Sequence, residues 1–209
     1  MEKIQDILLK VSELFRKFGI KSVTMDDIAS ELGISKKTIY HHVQDKTDLV
    51  SKLMEFENER VQKCMAEIFQ AKRNAIEELF EVNRFMINLM KRYSPSFNYD
   101  LKKYYPDIFR KIHAIRRTNI YNAIRNNLKK GKSEGLYRDE LNEEVLAKLN
   151  VSRMEDMPNS SLFTPEELNS GSVFKEMFIY HIRGIANERG TRFLEKNVHK
   201  LGYSEKEIF

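Results

Sequence analysis

Between Ser35 and Gln44 the chain reads SKKTIYHHVQ, ten residues without an acid. If this segment is helical, Lys36, Lys37, Tyr40 and His41 share a face, because steps of one, four and five keep side chains together. Only Ile39 and Val43 then point to a core. The face carries two ammonium groups, a phenol and an imidazole. Either lysine can reach a guanine edge or a phosphate, and the sequence leaves both open. His41 can likewise read a base edge, and Thr38 can touch a thymine methyl group or simply cap. An exposed Tyr-His-His beside two lysines is an unusual solvated face. A metal site is not expected, because adjacent His41 and His42 splay apart on a helix and no Cys or further His lies at a ligand spacing.

These residues need helices to hold them. Ile4, Ile7, Leu8, Val11, Leu14, Phe15 and Phe18 recur at three- and four-residue steps, the apolar stripe of a first helix ended by Gly19. Thr24 reads as the N-cap of a second helix, with Asp27 three residues on and Met25, Ile28, Ala29 and Leu32 as its apolar face. Gly33 permits a turn with positive φ. Ser35 caps a third helix, KKTIYHHV. Asp45, with Asp48 three residues later, opens a long fourth helix to about Ala71.

The rest of the chain is helical in pattern. One apolar face runs from Ile76 to Met90 and stops at Ser94-Pro95. A short aromatic helix is expected over 96–105, and a longer one from Pro106 to the Gly131–Gly135 region. A helix from about Asn142 to Asn150 follows. Residues 152–171 read as a loop containing a short helix begun by Thr164-Pro165-Glu166-Glu167, and a final helix runs from about Val173 to Val198. With 4 Pro and 8 Gly in 209 residues and no segment of strand period, the fold class is all-α.

Composition sets further bounds. The single cysteine, Cys64, excludes an internal disulfide and fits a reducing cytoplasm. The N-terminal MEKIQDILLKVSELF has acids within its apolar stretch and lacks the pattern of a secretory signal. No run is long and apolar enough to span a bilayer. The formal charge of +5 is unevenly placed: residues 1–52 net only +1, whereas residues 101–138 carry eleven Lys/Arg against two Asp/Glu. That basic stretch suits a solvated helix face, with an anionic ligand, a second DNA contact or an acidic partner as alternatives. No Gly-rich phosphate loop, nucleophile arrangement or ligand cluster suggests an enzyme, and His113, His181 and His199 carry no motif. No cofactor is expected.

A tight Gly turn between the second and third helices is the spacing of a helix-turn-helix. The string SELFRKFGIKSVTMDDIASELGISKKTIYHHVQDKTDLV resembles the TetR family of bacterial transcriptional repressors. The resemblance rests on Leu14-Phe15, Gly19, Thr24, Ile28-Ala29, Gly33, Ser35-Lys36, Thr38, Tyr40, His42 and Lys46. Val43 stands where the family usually has Phe. The resemblance covers the first 50 to 60 residues and implies DNA contact by the third helix, with Tyr40 and His42 on phosphates. Thr24 and Lys46, at helix N-termini, would complete phosphate clamps. The DNA-binding candidates are thus Thr24, Ser35, Lys36, Lys37, Thr38, Tyr40, His41, His42 and Lys46.

The resemblance further implies residues 1–50 as a helix-turn-helix domain, its boundary inside the fourth helix, and residues 51–209 as a helical ligand-binding and dimerisation domain. In that scheme the chain is a cytoplasmic homodimer on a palindromic double-stranded operator, released when an unknown small molecule favours a mismatched spacing of recognition helices. The long fourth helix would be the lever. Asn83, Arg116 and Asn119, polar on apolar faces, are candidate pocket residues. The aromatic group Phe97, Tyr99, Tyr104, Tyr105 and Phe109 either walls a cavity or packs. The wide apolar face of the last helix, including Val173, Phe174, Met177, Phe178, Ile182 and Ile185, is expected to pair with its twin. The alternative is a helix-turn-helix regulator controlled by a protein partner.

Overall fold

The computed structural model describes residues 4–90, 92, 95–156, 162–164, 167 and 172–201. Among these it forms ten α-helices and a terminal 3-10 segment, with no strand beyond one isolated antiparallel bridge, Tyr137 to Ala186. The fold is all-α. Its contacts divide into two compact units, one of residues 1–67 with 87–116, the other of residues 68–86 with 117–209.

The first unit begins with α1 (Ile4–Phe18), whose stripe of Ile7, Leu8, Val11 and Phe15 is buried. Helix α2 (Met25–Leu32) buries Ile28, Ala29 and Leu32, and α3 (Lys36–Tyr40) buries Ile39. Leu49, Val50, Leu53 and Met54 of α4 (Lys46–Gln70) close this core. Each such side chain removed from water contributes about 1.5–3 kcal/mol. Gly19 and Gly33 have φ of +82° and +65°, the left-handed turns their positions required. Phe97 and Leu101 from α6 (Pro95–Tyr104) and Ile112 from α7 (Pro106–Ser133) belong to the same core. Tyr105 and Phe109 pack against it. Of the aromatic group, then, three rings pack, while Tyr99 and Tyr104 face solvent.

A buried polar tie joins α1 to α4. Glu57 accepts from the Ser12 hydroxyl at 2.7 Å and from Arg16 at 2.9 Å. A buried carboxylate persists only when paired and hydrogen-bonded in this way.

The second unit is built on the core of Ala75, Ile76, Phe80, Leu128, Leu136, Tyr137, Ile182, Ile185 and Leu194. Asn74 caps α5 (Ala75–Met90), accepting from the N–H groups of Ile76 and Glu77. Asn127 donates to the Ala75 carbonyl at 2.9 Å and accepts from the Tyr137 hydroxyl at 3.0 Å. Lys130 pairs with buried Glu78. Helix α8 (Glu143–Asp156) runs past the expected end near Asn150.

The single last helix expected over 173–198 is instead two, α9 (Ser172–Ile185) and α10 (Glu188–Asn197). The cause is local. Ala186 bridges to Tyr137, the Asn187 N–H donates to the Leu136 carbonyl at 3.0 Å, and the Asn187 side chain caps α10 through the Gly190 N–H. A side chain at Gly190 would strike the Leu136 carbonyl oxygen, its Cβ only 2.1 Å away. Ile182, Ile185 and Leu194 are spent on the unit's own core. Of the short helix expected at Thr164, the described residues show a reciprocal cap, Thr164 with Glu167. Pro165 and Glu166 lie outside the described residues.

Candidate nucleic-acid interface

The three-helix frame fixes each candidate side chain differently. Thr24 caps α2 as expected: its Oγ1 accepts from the Asp27 N–H at 3.1 Å, and the Asp27 carboxylate accepts from the Thr24 N–H at 2.7 Å. Those hydrogen bonds, first the backbone one, hold the Asp27 carboxyl below its ordinary range. Ser35 caps α3, accepting from the Thr38 N–H at 3.1 Å, with the two hydroxyls 2.9 Å apart. Both caps stabilise helix starts and leave Thr24 and Ser35 exposed.

Helix α3 is shorter than the KKTIYHHV segment implied, ending at Tyr40. Its last turn is closed differently: Lys52 donates to the His42 carbonyl at 2.7 Å, and Asp48 accepts from the Gln44 N–H at 2.9 Å. Asp45 caps α4 through the Asp48 N–H at 2.8 Å. The result presents Lys36, Lys37, Tyr40 and His41 together on the exposed side of α3, with Ile39 and Val43 buried behind. Tyr40 keeps 47% of its surface exposed, a large ring facing water. His42 is half-buried.

Two placements add to the sequence reading. Lys36 pairs with Asp26 of α2 at 2.8 Å, so the acid-free stretch acquires an acid from the neighbouring helix. That hydrogen bond, with the carboxylate's charge, raises the Lys36 pKa. Both groups are exposed, and such pairs are weak enough for a phosphate to replace the carboxylate. Lys46 points inward. Its ammonium donates to the carbonyls of Ile20 at 2.6 Å and Val23 at 2.5 Å, and lies 5.9 Å from the Phe15 ring centre. Desolvation there lowers its pKa. Lys46 thus fastens the start of α4 to the α1–α2 loop.

The pocket candidates are dispersed. Arg116 belongs to the first unit and Asn83 and Asn119 to the second, all half-buried. None of them lines either of two open grooves. One, of about 530 Å³ in the first unit, has Leu14, Phe18, Asp27 and Glu31 on its walls and no base, so it suits no phosphate. The other, of about 580 Å³ in the second unit, is walled by Arg189, Arg192, Lys196 and Glu134. Among the described residues no three His, Cys, Asp or Glu side chains cluster to hold a metal, and no helix is long and apolar enough to cross a membrane.

The geometry is that of a helix-turn-helix, a short capped helix with exposed donors standing on a buried three-helix core. The family model described as bacterial regulatory proteins, tetR family, matches residues 7–53. The match covers the three-helix frame and the start of α4, so this N-terminal segment is similar to the DNA-binding domain of that family. An HTH-type transcriptional regulator of Staphylococcus aureus (strain USA300) is 42% identical over 48 residues, 23% of this chain and 24% of that protein. The chain thus matches about a quarter of the length of its curated relatives. Two solved structures share the fold over nearly the full length. The TetR family protein CprB of S. coelicolor A3(2), also solved with its operator sequence, has a TM-score of 0.64 and 16% identity, covering 99% of this chain and 100% of its own. A gamma-butyrolactone receptor, an ArpA-like protein, has a TM-score of 0.60 and 14% identity, covering 93% of each chain.

Proposed function

We propose that the chain is a DNA-binding transcriptional regulator, a repressor that leaves its operator when a small molecule binds the second unit. The observation that carries this reading is the α3 face: Lys36, Lys37, Tyr40 and His41 exposed together on a helix whose opposite side is fully packed. Lys37, Tyr40 and His41 contact base edges or phosphates. Lys36 exchanges Asp26 for DNA, and the half-buried Thr38 and His42 flank the contact beside the capped starts at Thr24 and Ser35. Lys46 acts by placing α4. The DNA-bound CprB structure supports the fold's suitability for an operator. The gamma-butyrolactone receptor supports ligand control, with Asn83 and Asn119 of the second unit kept as pocket candidates.

The acting form is a homodimer on a two-fold-symmetric operator in the cytoplasm. Helices α8 and α9 supply apolar surface for it: Val145, Leu149 and Tyr180 are exposed, Tyr180 by 75%. Large apolar side chains left in water on one unit mark a contact surface.

Selection of duplexes from a random pool tests this reading. The expected result is recovery of a palindromic sequence whose half-sites lie one helical turn or a multiple apart. Recovery of no enriched sequence overturns it.

A further inference from the structure

The first unit carries a second cationic surface that α3 does not explain. Helix α6 reads PSFNYDLKKY, and its exposed positions include Tyr99, Lys102, Lys103 and Tyr104. Its one acid, Asp100, is turned inward and accepts from the Lys21 N–H at 2.8 Å. The next acid, Asp107, is paired with Arg110. What remains outside is positive and aromatic, arranged by its own contacts. Lys103 donates to the Tyr99 hydroxyl at 2.7 Å and lies 5.4 Å from the Tyr104 ring centre. The α1–α2 loop contributes Lys21, its ammonium 4.0 Å from the centre of the same ring. Tyr99 and Tyr104 remain 58% and 39% exposed. The rings hold the ammonium groups in place by cation–π attraction, so little side-chain entropy is left to lose on binding.

This surface reaches the loop that leads into α2. Lys21 is three residues from Thr24, the cap of α2, so at most about 11 Å of chain separates them. The same loop gives its carbonyls to Lys46 at the start of α4.

We propose that Lys21, Lys102 and Lys103, with the hydroxyls of Tyr99 and Tyr104, bind the sugar-phosphate backbone of duplex DNA flanking the operator half-site. The inference rests on the DNA-binding reading above. Lysine ammonium groups and phenol hydroxyls are phosphate donors that read no sequence, and a duplex extends its charge beyond the bases that α3 reaches. A small anion would meet an open face with no enclosing wall. A duplex held at α3 is long enough to extend past the α2 cap toward Lys21, which stands three residues before it. The contact adds affinity and salt dependence without adding specificity.

The test uses the full chain and a duplex it has itself selected, made in two lengths: the core bases alone, and the core with one helical turn of unrelated sequence on each side. Wild type is expected to bind the longer duplex about tenfold more tightly at low salt. Its plot of log affinity against log salt should steepen by about 0.9 for each phosphate engaged. Lys102→Ala with Lys103→Ala should lose that gain and bind the core duplex as wild type does, which also shows that the fold is intact. Equal affinity of wild type for both lengths overturns the proposal alone. So does a gain retained by the double variant, or a double variant that loses the core duplex too. Failure of wild type to bind the core duplex overturns this proposal together with the DNA-binding reading.

Discussion

Lys46 and His181 show how burial decides what an ionisable residue does. The ammonium of Lys46 is spent on two backbone carbonyls within the protein. Lys46→Met should therefore lower the melting temperature and weaken DNA binding while leaving the salt slope unchanged. A slope reduced by about one would mark Lys46 as a phosphate contact instead. His181 lies beside Asn150, and burial, aided by the nearby Arg153 charge, pushes its pKa from 6.5 down to about 4. Between those values the unfolded chain binds the proton and the folded chain does not. Stability should rise with pH from about 4 to 6.5 and be lost as pH falls through that window. Melting temperatures of wild type and His181→Gln across pH 4–7 check this: the acid-side loss should shrink in the variant, and equal losses would contradict it. Most of the α3 face could be read at this scale, because residue type and spacing alone group Lys36, Lys37, Tyr40 and His41. Asp26 beside Lys36 and the inward turn of Lys46 could not, since both depend on how α2 and α4 are docked.

At the scale of elements, capping was the most informative signal. Thr24, Ser35 and Asp45 all cap the helices that their types and spacing implied. The break between α9 and α10 was missed because the apolar pattern continues across it. The available sign was local, Asn187 followed by Glu188 and Gly190, an N-cap with an acid in the first turn. The place of α6 in the first unit's core was also hidden, since Phe97 and Leu101 show only that one face is apolar, not what it covers. Two substitutions test the packing. Gly131→Ala would place a Cβ 1.9 Å from the Tyr137 ring. It should destabilise by about 1–3 kcal/mol in denaturant unfolding, the cost typical of overpacking; an unchanged midpoint would contradict the tight approach. Arg16→Met removes one of three donors to the buried Glu57 carboxylate, leaving Ser12 and Arg60, and should cost about 1.5–3 kcal/mol. A loss below about 1 kcal/mol would show that the tie is not buried in solution.

For the whole molecule, net charge is a poor guide to the site. The N-terminal 52 residues net only +1, while the strongly basic stretch lies beyond them. What marks the candidate interface is local geometry: short-range caps and a core that leaves one helix face bare. Assembly belongs to this scale as well. Leu149→Asp with Tyr180→Asp should convert a dimer into a monomer by light scattering at micromolar concentration, and a monomeric wild type would contradict the dimer. Whether α3 reads DNA is decided by the affinity of the selected duplex relative to an unrelated one of equal length. For Lys37→Ala with Tyr40→Ala, folded as judged by circular dichroism, that ratio should fall about 30-fold or more, as loss of two contacts worth roughly 1–3 kcal/mol each implies. A folded double variant that keeps the wild-type ratio would contradict the account.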